Sequence, residues 1–256
     1  MKLERRFVEK PWGKTELPAP FGAPAGERIG EVWFTGGGEQ PLLVKYLFTS
    51  ERLSIQVHPN DDQAKARGLL SGKSECWYIL DAEPGATLGL GLKNELTAGE
   101  LRSAALDGSI EHLMDWRPVQ GGDFFMVPPG TVHAIGGGIS LIEFQQNSDV
   151  TYRLYDYGRP RELHLDDGIS VARPGPYPEQ LAQHLAKDEE RLLVNGPMFL
   201  FAQAFGDEYL SHDRWLIPLD GEVRSGDESA GAGECLLVPA GCTAEVDGRL
   251  LIGAKP

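Results

Sequence analysis

Short runs of apolar and β-branched residues, broken by glycine and proline, recur along most of the 256-residue chain. Such runs predict β-strands, because alternating side chains suit a sheet that buries one face. The 32 glycines and 18 prolines favour tight turns between many short strands. The sequence therefore predicts a mostly β protein with strands at these segments: 42–48, 53–59, 75–80, 123–129, 139–146 and 150–156.

One stretch, residues 94–116, departs from the strand pattern and predicts a small helical insertion. Thr97 is followed three residues later by Glu100, which is the signature of a capping box at a helix N-terminus. The apolar positions that follow recur at helical spacing: Leu101, Ala104 and Ala105.

A change of composition near Arg173 marks the predicted domain boundary. Proline recurs at positions 174, 176 and 178, and the residues that follow become charged. The prolines stiffen a connector, and residues 180–191 predict a helix within it. The chain thus divides into a first domain at 1–172, a linker at 173–195 and a strand-rich C-terminal domain at 196–256.

One pattern occurs twice and indicates two copies of a β module. Residues 122–133 read G-x5-P-x-G-x2-H and end in His133, whereas residues 233–244 repeat the pattern but end in Ala244. The glycines suit turns at the ends of a short buried strand, and the proline stops its hydrogen-bond ladder. Only the first copy keeps a residue that can ligate a metal.

Four side chains predict a metal site in the first domain. In the segment LSIQVH, the polar residues Ser54, Gln56 and His58 alternate with aliphatic ones and share one strand face. Glu75 opens the next strand, and His133 closes the first copy of the repeated pattern. Imidazole and carboxylate ligands suit zinc, and manganese, iron or cobalt would also be accepted. A lone histidine is more often structural, but two histidines with a carboxylate at this spacing favour a metal.

Several strings in the first 160 residues resemble type I mannose-6-phosphate isomerases of the short bacterial kind. They occur in order: KPWG, GEVWF, LSIQVHPNDDQA, GKSECWYIL and VPPGTVHAIGGGISLIEFQQNSDVTYRLYDYGR. The resemblance covers about residues 8–160 and extends to the rest only in general layout. It implies a mostly β fold of two cupin or jelly-roll-like β-barrel units, the first catalytic and the second degenerate.

The resemblance also implies the cofactor and the site. One zinc ion per chain would be held by the four residues named above: Gln56, His58, Glu75 and His133. Arg153 would be the active-site arginine, and Ser54 and Lys73 would contact a substrate phosphate. The expected activity is the interconversion of mannose 6-phosphate and fructose 6-phosphate through an enediol intermediate.

Glu143, which precedes Arg153 by ten residues, is the candidate general base for this reaction. A metal-bound water or a histidine would serve equally, and Glu143 can also act by orienting a ligand. Arg153 can alternatively form a structural ion pair with Asp149 or Asp156. The residues alone leave these alternatives open.

Charge and cysteine content limit the partners and the compartment. The net charge of −14 disfavours nucleic acid and membrane surfaces but allows a small sugar phosphate in a locally basic pocket. Three cysteines without a CxxC pattern, and an N-terminal segment without an apolar run, predict a cytoplasmic protein. The oligomeric state stays open, and a monomer is compatible with the sequence.

Two other functions fit parts of this pattern. An iron-dependent cupin oxygenase would use the same four positions, although such sites usually carry three histidines where this chain has Gln56. Dioxygen uptake with bound iron would identify it. A non-enzymatic sugar-binding cupin would instead bind sugar tightly without turnover, and the chain shows no helix-turn-helix that would suit a DNA-binding regulator.

Overall fold

The computed structural model describes residues 1–256, and most of its regular structure is strand. The N-terminal segment contributes β1 (Glu4–Lys14), β2 (Ile29–Thr35) and β3 (Leu42–Phe48). The central strands are β4 (Ile55–Val57), β5 (Glu75–Ala82), β6 (Thr87–Leu92), β7 (Met114–Pro118), β8 (Asp123–Val127), β9 (His133–Ile135), β10 (Ile139–Gln146), β11 (Tyr152–Tyr155) and β12 (Ala182–His184). The C-terminal strands are β13 (Arg191–Asn195), β14 (Leu200–Ala204), β15 (Arg214–Pro218), β16 (Glu222–Ser225), β17 (Glu228–Gly231), β18 (Leu236–Val238), β19 (Glu245–Asp247) and β20 (Leu250–Ala254).

The α-helices are short: α1 (Asp61–Lys65), α2 (Ala98–Asp107), α3 (Ile110–Leu113) and α4 (Leu165–Val171). The predicted helical insertion is confirmed, because Thr97 caps α2 and forms reciprocal hydrogen bonds with Glu100. Residues 114–116 at its end belong to β7 instead. None of these helices has the length and apolar character needed to span a membrane.

The prediction of a helix over residues 180–191 is wrong. A single 3-10 turn covers Glu179–Leu181, and Ala182–His184 forms β12. This strand pairs with Asp123–Phe125 of β8 in antiparallel register. The sheet edge thus satisfies the backbone groups of the segment, and this long-range pairing outweighs its local helix propensity.

The chain forms two compact units, which we call the split unit (Met1–Tyr46 with Leu185–Pro256) and the central unit (Leu47–His184). In the central unit the strand orders are β10-β5-β8-β12 and β11-β4-β9-β6-β7. In the split unit they are β1-β2-β3, β13-β14-β20-β15-β18 and β17-β16-β19. The mostly β prediction is confirmed, but the sheets are open rather than closed into barrels. The three-part division at 172 and 195 stays a prediction.

Helices cover one face of the sheet that contains β4. Ile55 and Val57 pack in one buried cluster with Leu101 of α2 and Val171 of α4. Because side chains alternate along a strand, Gln56 points to the opposite face. The helices thus cover the apolar face of β4, and the residues of the site lie on its polar face.

The split unit places an arginine where the central unit has Glu75. Glu75 of β5 pairs with Val127 of β8, and Arg214 of β15 pairs with Val238 of β18. The two valines hold the same place in the repeated pattern, directly before its proline. Arg214 therefore has the sheet position of Glu75.

The Arg214 guanidinium is fully buried and makes hydrogen bonds of 2.8 and 2.9 Å to the Asp207 carboxylate. It also donates to the carbonyl of Cys242 at 2.7 Å, and Asp207 accepts the backbone N–H of Ala244 at 2.7 Å. A cation supplied by the chain thus fixes the loop that ends at Ala244, where the first copy ends at His133.

Loss of the Arg214 guanidinium should destabilise the protein strongly. Arg214→Met keeps the length of the side chain but leaves the Asp207 carboxylate buried without its partner. We expect the free energy of unfolding, measured by urea denaturation, to fall by about 3–5 kcal/mol. Arg224→Met is the matched control, because the Arg224–Glu222 pair is largely exposed and its loss should leave the midpoint unchanged. Equal midpoints for the two variants would contradict this role for Arg214.

Candidate metal centre and active site

Two histidines and a carboxylate meet in the central unit. His58 follows β4, Glu75 begins β5 and His133 begins β9. Oε1 of Glu75 lies 3.5 Å from Nε2 of His58 and 3.4 Å from Nε2 of His133. One ligand atom from each residue lies within 4.8 Å of the others, and all three side chains are buried. Three of the four predicted ligands therefore form one cluster.

Backbone hydrogen bonds bring these segments together. The carbonyl of His58 accepts the N–H of Gly130 at 2.9 Å, which ties the loop before β9 to the end of β4. The carbonyl of Pro59 accepts the N–H of Lys73 at 3.0 Å, which ties the segment before β5 to the same place. Gly130 has a φ of 88°, a left-handed conformation that favours glycine.

The start of α1 also holds the segment before β5. Asn60 caps this helix and forms a capping box with Gln63. The Asp61 carboxylate accepts the N–H of Gly72 at 2.8 Å and the side-chain amide of Gln146 at 2.9 Å. A Cβ on Gly72 would lie 2.4 Å from the backbone of Asn60, so this close approach requires glycine. These contacts fix the approach to the Glu75 ligand.

Burial and charge keep the three ligands deprotonated. Burial, and next the Lys73 ammonium, lower the pKa of His58 to about 3. Burial also lowers the pKa of His133. Burial opposes ionisation of Glu75, but the Lys73 ammonium together with His58 and His133 outweighs it, and these groups hold the pKa of this carboxyl well below its usual range. Neutral imidazoles and an ionised carboxylate are the forms that ligate a metal.

The polar atoms of the cluster fit a bound cation. Oε1 of Glu75, which lies between the two imidazoles, is buried without a hydrogen-bond partner, whereas Oε2 lies 2.7 Å from Nζ of Lys73. Nδ1 of His133 donates to the carbonyl of Thr131 at 2.9 Å, so that the lone pair of its Nε2 faces Glu75. Ligand atoms around a tetrahedral zinc ion lie about 3.4 Å apart, given bonds of about 2.0–2.1 Å. The separations between Glu75 and the two imidazoles match this spacing.

Gln56, the fourth predicted ligand, adjoins the triad. It lies opposite His133 in the pairing of β4 with β9, and its Nε2 is 3.3 Å from Nε2 of His133. Its Oε1 accepts the hydroxyl of Ser54 at 3.0 Å. Ser54, the predicted phosphate contact, is thus buried and engaged with Gln56.

Lys73 and Glu143 extend the cluster. Nζ of Lys73 lies 2.7 Å from Oε2 of Glu75, 3.4 Å from Nε2 of His58 and 3.6 Å from Oε1 of Glu143. Glu143 accepts the indole N–H of Trp77 on Oε2 at 3.1 Å. The predicted phosphate contact Lys73 and the candidate base Glu143 are therefore both buried beside the ligands.

Arg153 lies on the same sheet face as Gln56. The two residues are opposite each other in the pairing of β11 with β4, and opposed side chains point to one face. Nη1 of Arg153 donates to the carbonyl of Glu162 at 2.7 Å, and its Nε is buried without a hydrogen-bond partner. Burial, and next the neighbouring Arg161, lower the pKa of Arg153.

Asp156, an alternative partner for Arg153 in the sequence, binds two other arginines. Its buried carboxylate accepts hydrogen bonds from Arg159 at 2.7 Å and from Arg161 at 2.6 Å. The guanidinium of Arg153 makes its hydrogen bond to a carbonyl instead.

Two residues that the sequence pattern does not single out support the site. Thr131 fixes the ring of His133 through a backbone carbonyl, a role that no side-chain pattern reveals. Trp77 holds Glu143, and its place two residues after Glu75 puts it on the same strand face. This alternation of side chains along β5 is the sequence signal that predicts Trp77 on the same face as Glu75.

Curated relatives of the chain are mannose-6-phosphate isomerases by name, although no family model matches it. The chain is 46% identical over 164 residues to mannose-6-phosphate isomerase ManA of Bacillus subtilis, covering 61% of this chain and 51% of that protein. It is 37% identical to the B. subtilis protein named probable mannose-6-phosphate isomerase GmuF, covering 84% and 79% of the two chains. The match spans about half the length of the first curated relatives.

A solved structure agrees with these relatives. The chain superposes on the crystal structure of mannose 6-phosphate isomerase from B. subtilis with a TM-score of 0.79. The sequences are 27% identical, and the match covers 98% of each chain. This likeness confirms the predicted cupin fold. Because the match to GmuF spans most of both proteins, the chain belongs to the mannose-6-phosphate isomerase family.

Proposed function

We propose that this chain is a metal-dependent isomerase that interconverts mannose 6-phosphate and fructose 6-phosphate. The observation that carries the proposal is the buried set His58, Glu75 and His133, with Glu143 and Arg153 on nearby strands. The names of the relatives support this substrate pair.

Zinc is the ion that we assign to this set. His58, Glu75 and His133 would hold it, and a half-turn of the Gln56 amide would add an oxygen ligand. Two imidazoles and a carboxylate are ligands that zinc takes in catalytic sites. When bound, zinc supplies Lewis-acid stabilisation of negative charge on a substrate oxygen.

The chain's own residues supply the proton transfer. Isomerisation moves one proton between C1 and C2 through an enediol, while a hydroxyl proton moves between O1 and O2, with no net change in atoms. Glu143 takes the proton from C2 of the aldose and returns it to C1. Arg153, whose Nε has no hydrogen-bond partner in the protein, donates to the oxygens as negative charge develops on them.

Ser54 and Lys73 are the proposed contacts of the substrate phosphate. Ser54 donates to Gln56, and Lys73 lies close to Glu75. A bound phosphate would therefore have to compete with these contacts.

The cytoplasm is the proposed compartment, and a small sugar phosphate is the proposed partner. All three cysteines are free thiols, which suits a reducing environment: Cys76, Cys235 and Cys242.

Removal of the metal should abolish isomerisation. After chelation, conversion of mannose 6-phosphate to fructose 6-phosphate should slow by at least about 100-fold, because charge on the enediol loses its stabilisation. One equivalent of zinc should restore the rate, measured with a coupled assay for fructose 6-phosphate. Metal-replete protein that binds the sugar phosphate without turnover would contradict the proposal, and dioxygen uptake with iron would indicate an oxygenase.

Loss of the Arg153 guanidinium should slow the reaction but spare the metal. Arg153→Met should lower kcat by about 100-fold to 1000-fold, as expected when one donor to a developing oxyanion is removed. Metal content should not change, because Arg153 is outside the ligand set. Arg102→Met on α2 is the matched control, since Arg102 pairs with the exposed Asp166. A wild-type kcat in Arg153→Met would rule out this role.

A further inference from the structure

Trp77 lies against the proposed base, and the inference drawn from it rests on the proposed function. Trp77 and Glu143 are opposite each other in the pairing of β5 with β10, so their side chains point to one face. The indole N–H donates to Oε2 of Glu143 at 3.1 Å. Trp77 is 0% exposed and Glu143 4%, so water hardly competes for this hydrogen bond.

The two oxygens of Glu143 have different surroundings. Oε2 accepts from the neutral indole, whereas Oε1 lies 3.6 Å from Nζ of Lys73. The same Nζ lies 2.7 Å from Glu75, so Oε1 is the oxygen on the side of the ligand cluster. A donor fixed at Oε2 opposes rotation of the carboxylate and keeps Oε1 directed to that side.

The indole is itself held rigidly. Its ring meets the ring of His133 edge-on, with the centroids 5.4 Å apart and an interplanar angle of 70°. On the other side of β5, Trp77 lies opposite Phe125 of β8. One side chain thus contacts a metal ligand and the proposed base together.

We infer that Trp77 is a positioning residue of the isomerase, whose indole N–H sets the orientation of the Glu143 carboxylate. A general base that takes a proton from C2 and returns it to C1 must keep its carboxylate oriented toward both carbons. A rigid donor supplies that constraint at lower entropic cost than a mobile side chain or water. Trp77 acts through Glu143 and not on the substrate.

A purely structural role for Trp77 makes a different prediction, and the chain offers a matched case. Trp215 of β15 lies in the split unit and is 1% exposed. Replacement of either tryptophan by phenylalanine removes similar buried volume. Only the change at Trp77 removes a donor to the proposed base.

Kinetics should separate the two roles. Trp77→Phe should lower kcat by about 10-fold to 100-fold, as expected for a misaligned base. KM should stay within about twofold of wild type, because substrate binding is retained, and metal content should not change. Trp215→Phe should lower the unfolding midpoint yet keep the wild-type kcat. A wild-type kcat in Trp77→Phe would overturn the inference.

A second measurement does not depend on activity. The five tryptophans give five indole N–H signals in a ¹⁵N correlation spectrum, and replacing the other four in turn assigns that of Trp77. In Glu143→Gln this signal should shift most, because an amide accepts a hydrogen bond more weakly than a carboxylate. An unmoved signal would overturn the inference even in an active isomerase. Failure of the proposed function would show differently, as wild-type protein without isomerase activity.

Discussion

The buried carboxylate of Glu75 is the charge on which the central unit depends. A carboxylate without exposed surface stays ionised only where cations or strong donors surround it. Lys73 approaches one oxygen, and the imidazoles of His58 and His133 approach the other. Glu143 brings a second carboxylate to within 3.6 Å of the same ammonium. Lys73 thus lies between two acidic side chains, and the ionised Glu75 leaves a carboxylate oxygen between the two imidazoles, where a divalent cation would bind.

The split unit meets a similar constraint with a cation that the chain itself supplies. Its β framework repeats the register of the central unit, but Arg214 stands at the position of Glu75. The guanidinium binds Asp207 and the carbonyl of Cys242, and so fixes the loop that His133 closes in the other copy. A chain-supplied cation explains why the second copy of the pattern can end in alanine.

Features that depend only on neighbouring residues are predicted correctly from the sequence. Strand alternation correctly directs Gln56 to the face opposite Ile55 and Val57, and a capping box correctly begins α2, because both depend on neighbouring residues alone. The helix predicted at 180–191 fails because its first residues pair with the distant β8. The bond between Trp77 and Glu143 joins residues 66 positions apart, so it depends on a register that no short pattern encodes.

The zinc affinity of two matched variants tests most directly whether Glu75 ligates the metal. Glu75→Gln and Glu143→Gln each replace a buried glutamate by its amide, one within the ligand set and one beside it. We expect about one zinc per chain in the wild type and in Glu143→Gln, but a zinc affinity at least about 10-fold weaker in Glu75→Gln. Equal zinc affinity in all three proteins would show that Glu75 does not ligate the metal.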